Sequence, residues 1–136
     1  MSTATAAAPK SNVAARPTFK DRYEHYINGE WVTPSSGEYF DNYSPIDGKV
    51  FTQAARGNAK DIDNAIDAAT EAFKTWSKTT PYFRGDILKK TADFIRANVK
   101  EFALDTILET GKPRNEAEGE WQVAANLFEW YAEEGK

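Results

Sequence analysis

The sequence predicts a mostly helical chain in which short antiparallel β elements come first and about four helices follow. Three observations predict it. Between Tyr23 and Ala55, short β-prone runs alternate with turn residues. From Ile62 onward, apolar residues recur at intervals of three and four, the spacing that gathers side chains on one helix face. Proline and glycine fall mainly between these stretches and so divide them. With 40% hydrophobic and 13% aromatic content in 136 residues, the chain can build one modest core but not two ordinary domains.

Residues 1–22 read as a disordered tail. They are small, polar or proline-containing, carry Lys10, Arg16 and Lys20, and hold no acidic residue before Asp21. A mitochondrial transit peptide has a similar composition, but this segment has no leucine to build an amphipathic face. Residues 23–136 form the folded part. Tyr26 and Ile27, then Asn28-Gly29, then Glu30, Trp31 and Val32 spell a tight hairpin, because Asn-Gly tolerates the positive φ that such a turn requires. After the loop Pro34-Ser35-Ser36-Gly37, Tyr39 to Tyr43 and Val50 to Ala55 read as two further strands, joined through Ser44-Pro45-Ile46-Asp47-Gly48.

Asn58, with Asp61 three residues on, marks the first helix start. Ile62, Ala65, Ile66, Ala69, Phe73 and Trp76 supply its apolar stripe, and Lys60, Asp63, Asn64, Asp67 and Lys74 its polar face. Thr80 caps a second helix with Pro81 at its first position; Leu88, Ala92, Ile95 and Val99 are its stripe. Asn98 marks a break. A third helix carries Phe102, Leu104, Ile107 and Leu108 up to Gly111, whose freedom at positive φ suits a helix end. The fourth begins near Pro113. It is apolar on two faces: Trp121, Ala125, Phe128 and Ala132 make one stripe, and Val123, Leu127, Trp130 and Tyr131 another. Leaving several such aromatics in water would exceed the apolar patch of an ordinary monomer, so a cover from outside these residues is expected. The sequence stops at Gly135-Lys136, directly after this helix, as a chain truncated at a loop would.

Much chemistry is excluded by composition. Without cysteine there is no disulfide, thiolate metal site or cysteine nucleophile, and the single His25 removes most histidine-based schemes. His25 reads as a solvent-exposed strand residue. No two glycines lie two residues apart, so no GxGxxG cofactor turn exists, and no GxxxxGK phosphate loop can be placed. DIDNAID, Asp61 to Asp67, opens like a calcium loop but lacks the glycine at its sixth position and reads as a solvated helix face. Glu116, Glu118 and Glu120 scatter around a helix and suit its first turns. Lys89, Lys90 and Arg96 are diluted by Asp86, Asp93 and Glu101, which leaves ordinary surface. A formal net charge of −4 gives no field for nucleic acid or an anionic membrane. No apolar run approaches the roughly 20 residues of a membrane-spanning helix. A cytoplasmic location is expected, with the mitochondrion as the alternative.

Four motifs carry a resemblance. YINGEW (Tyr26 to Trp31), SPIDGKV (Ser44 to Val50), AFKTW (Ala72 to Trp76) and ETGKP (Glu109 to Pro113), in this order and spacing, resemble the amino-terminal region of the NAD(P)-dependent aldehyde dehydrogenase superfamily. The closing AEEGK (Ala132 to Lys136) is similar to its succinate-semialdehyde branch, and the first half to acetaldehyde-type members. The resemblance implies an α/β parent fold with a Rossmann-type cofactor domain, of which this chain is the amino-terminal part. It also implies a parent enzyme, several times longer and commonly a homo-oligomer, that oxidises an aldehyde with NAD or NADP through a cysteine, a glutamate and an asparagine. All three would lie beyond Lys136, as would the cofactor cleft. No catalytic or nicotinamide-binding residue therefore carries over, and no cofactor is expected on this chain alone.

Two peripheral roles do carry over. A monovalent cation would use the Glu109 carboxylate with main-chain oxygens around Asn42 and Tyr43; the plainer reading of Glu109 is a helix end. Val123 would line the aldehyde entrance; its plainer reading is core packing. The expected partner is the remaining part of the parent chain or a full-length relative. Two functional readings stay open: a fragment of an aldehyde-oxidising enzyme, inactive by itself, and a stand-alone helical module that binds and modulates a full-length relative.

Overall fold

A computed structural model describes residues 18–135. Most of the expected tail lies outside these residues, although Arg22 already belongs to the first strand, β1 (Arg22–Tyr23). β2 (His25–Ile27) and β3 (Glu30–Val32) form the hairpin that Asn-Gly announced, pairing antiparallel with Tyr26 opposite Trp31. Asn28 (φ 54°) and Gly29 (φ 81°) both take the left-handed region, as the turn demands. β4 (Tyr39–Tyr43) and β5 (Val50–Ala55) pair antiparallel in a second sheet. Ser44, fully buried between them, holds the turn: its N–H donates to the Lys49 carbonyl at 2.9 Å, and its own carbonyl accepts from Gly48 N–H at 2.8 Å.

The sheet order is β1-β5-β4. β1 runs parallel to β5, with Arg22 opposite Gln53 and Tyr23 opposite Ala54. The local pairs β2–β3 and β4–β5 are antiparallel as expected, and this parallel pair adds a non-local element to them. The paired residues lie 31 positions apart in sequence, so no turn signal between neighbours could announce their pairing. Thr52, buried in β5, ties the chain leading into β1 by donating from Oγ1 to the Lys20 carbonyl at 2.8 Å.

Three helices follow among the described residues, where about four were expected. α1 (Ala59–Trp76) starts as read: the Asn58 side chain accepts from the N–H groups of Lys60 and Asp61, and the Asp61 carboxylate accepts from Asn58 N–H, a reciprocal capping box. α2 (Pro81–Thr110) is continuous through Asn98. The supposed break fails because the Asn98 side chain donates from Nδ2 to the Phe94 carbonyl at 2.8 Å, satisfying itself on its own helix. Buried Ile95, Val99 and Ala103 hold the helix in place on both sides of it. α2 ends at Gly111 (φ 72°), and α3 (Arg114–Glu134) returns antiparallel to it after a short loop.

The core lies between α2 and α3. α2 buries Ala92, Ile95, Val99, Ala103 and Leu108, whereas α3 buries only Ala117, Ala125 and Ala132. Small side chains let the two helices approach closely, and Trp121 fills the remaining gap, stacking obliquely on Phe102 (centroids 4.8 Å apart) and donating from Nε1 to Thr106 Oγ1 at 3.0 Å. The other α3 stripe faces out, with Val123, Leu127, Trp130 and Tyr131 all 50–57% exposed. The α1 stripe is uncovered as well: Ile62, Ile66 and Phe73 are each more than half exposed, and Asp61 is the helix's buried residue.

Candidate functional site

Two of the resembling motifs meet in space. The end of α2 reaches the β4–β5 turn, where Pro45 packs so near Gly111 that a Cβ on the glycine would lie 3.3 Å from Pro45 Cγ. Gly111 suits the place for its left-handed φ, and a side chain there would also crowd Pro45. The junction carries Glu109, in the last turn of α2, to the strand edge, where Asn42 Nδ2 donates to its Oε1 at 3.2 Å. Between Asn42 and Tyr43 the β4–β5 ladder slips by one residue, leaving Phe51 as an extra residue on β5. Asn42, Tyr43 and Glu109, singled out from sequence, are thus neighbours. Tyr43 is 57% exposed, and its hydroxyl donates to Asp41 Oδ2 at 3.3 Å.

A shallow depression at this junction is lined by Asn42, Phe51, Thr52, Asp105 and Glu109. Sequence reasoning passed over Asp105. It sits one helical turn before Glu109 and one after Glu101, half-buried, and its carboxyl is pushed above the usual range, first by partial burial and then by those two like charges. The signal was available as Glu101, Asp105 and Glu109 at four-residue spacing, a like-charge row on one helix face.

A second cluster joins the hairpin to α1. His25 is on a strand as read, but its side chain is only 22% exposed and its Nε2 lies 3.7 Å from Asp61 Oδ2, without a hydrogen-bond partner. This corrects the exposed-histidine expectation. Asp61 also accepts from Ser35 N–H at 2.9 Å. Its carboxyl is held below the usual range, chiefly by the Asn58 main-chain hydrogen bond, with partial burial opposing and Ser35 and His25 adding to the lowering. Asp61, the first residue of DIDNAID, therefore serves a helix cap, and among the described residues no group of three or more His, Asp and Glu could hold a metal ion.

Val123 lies on the outward stripe of α3, 57% exposed, outside the core of this chain. Glu116, Glu118 and Glu120 separate as expected; Glu118 pairs with Arg114 and Glu120 with Lys112. Lys89 and Arg96 are engaged by Glu133 and Glu129, so the basic residues of α2 stitch it to α3 and make no open basic patch with Lys90. No helix among the described residues is long and apolar enough to cross a membrane.

Comparison with known proteins converges on one family. The profile described as Aldehyde dehydrogenase family matches residues 31–136. An aldehyde dehydrogenase of Deinococcus radiodurans is 44% identical over 116 residues, 85% of this chain but 22% of that protein. A long-chain-aldehyde dehydrogenase of an Acinetobacter species is also 44% identical, over 115 residues, 84% of this chain and 23% of its own length. The crystal structure of an NAD-dependent aldehyde dehydrogenase from Sinorhizobium meliloti superposes with a TM-score of 0.81 at 35% identity, covering 93% of this chain and 26% of that one. The chain thus spans about a quarter of the length of the relatives it matches. Its strands and helices are those of the amino-terminal part of the fold these relatives share, and the chain belongs to the aldehyde dehydrogenase family.

Proposed function

We propose that this chain contributes the first β elements and helices of an enzyme that oxidises an aldehyde to a carboxylic acid with NAD or NADP, and that it does not turn over aldehyde by itself. The observation that carries this reading is the union of family membership with the absence of any cysteine among its 136 residues. The family resemblance assigns bond-making to a cysteine thiolate, a glutamate base and an asparagine oxyanion donor, none of which maps onto this stretch. The cofactor belongs to the same missing machinery: no glycine-rich turn in this chain approaches a pyrophosphate. Its partner is the remaining part of a parent chain, which would cover the outward stripe of α3 and bring Val123 to the wall of the aldehyde entrance. The parent would act as a homo-oligomer in the cytoplasm.

Detection of the native protein with antibodies against residues 23–136, combined with an assay of the purified chain, tests this reading. A species several times heavier than 15.2 kDa and no aldehyde oxidation by the chain with either cofactor are expected. A native species at 15.2 kDa, or turnover by the chain alone, would overturn it.

The junction of β4 and α2 suits a peripheral monovalent cation. One carboxylate, Glu109, faces an interrupted stretch of ladder whose carbonyls are hard oxygen donors, and the like charges around Asp105 favour added positive charge. Glu109 and the main-chain oxygens of Asn42 and Tyr43 would hold the ion. Such a cation would brace the junction and take no part in the chemistry. Sodium or potassium chloride should raise the thermal midpoint above that in choline chloride at equal ionic strength, and Glu109→Gln should abolish the difference. An unchanged difference in the variant would remove Glu109 from the site.

A further inference from the structure

We draw no further inference here: the strongest candidate, the exposed apolar stripe of Val123, Leu127, Trp130 and Tyr131 along α3, is an unpartnered helix face already assigned to the remainder of the family fold, and nothing in the structure shows any other occupant.

Discussion

Asp61 shows how much a single residue can be read and where reading stops. Its place three residues after Asn58 announced a helix start, and the capping box confirms it. That cap is a local matter, set by spacing along the chain. His25 and Ser35 are twenty-six or more residues away, and their convergence on the same carboxylate depends on how the hairpin folds over α1, which no local pattern encodes. The hydrogen bonds have a consequence for pH. Because the folded carboxyl titrates below its ordinary value, it stabilises the fold fully above the usual carboxylate range, and this contribution disappears as pH falls through the lowered folded value. Asp61→Asn should therefore lower the urea midpoint at neutral pH, and the gap from the unaltered chain should narrow as the solution is taken below the ordinary carboxylate range. A gap independent of pH would mean that the side chain acts through shape alone. Gly111 belongs to the same scale: its helix-ending role was legible from Pro113 just beyond, but its contact with Pro45 was not.

At the scale of elements, sequence reasoning went wrong where it weighed a local preference too heavily. Asn98 suggests a break, yet the propensity penalty of an asparagine is only about 0.7 kcal/mol. Burial of Ile95, Val99 and Ala103 outweighs that penalty several times over, since each fully buried valine or isoleucine is worth about 1.5–3 kcal/mol. Asn98→Ala should accordingly raise stability by about 0.5 kcal/mol, seen as a later urea midpoint with an unchanged slope. Loss of stability instead would show that the amide contributes more through the Phe94 carbonyl than the helix gains from alanine. The hairpin, the β4–β5 pair, the cap of α1, the Thr80 start of α2 and the α2–α3 turn were all legible, because each is written in adjacent residues. The parallel pairing of β1 with β5 was not. The two stripes of α3 and the need for a cover from outside were legible, but which stripe meets α2 was not, since both carry the same helical period.

The whole molecule exposes more apolar surface than its size explains. Val123, Leu127, Trp130 and Tyr131 on α3, with Ile62, Ile66 and Phe73 on α1, are each half exposed or more. Aromatic side chains offer about 150–250 Å² apiece, so each stripe leaves a sizeable apolar patch in water. The proposed parent chain would account for this: the relatives matched are about four times longer, and a remainder of that length would give these helices something to pack against. The surface should then behave oppositely in two settings. Replacing Leu127 and Trp130 together by glutamate in this chain alone should reduce concentration-dependent association in sedimentation while leaving helix content unchanged, because those side chains contribute little to the α2–α3 core. The same pair in a polypeptide that continues through the family fold should be severely destabilising. It would forfeit about 1.5–3 kcal/mol of apolar burial per site and bury unpaired charge as well, lowering the thermal midpoint and soluble yield. If the longer polypeptide tolerates the pair, the α3 stripe faces water there too, and its exposed aromatics need an explanation other than the missing remainder of the fold.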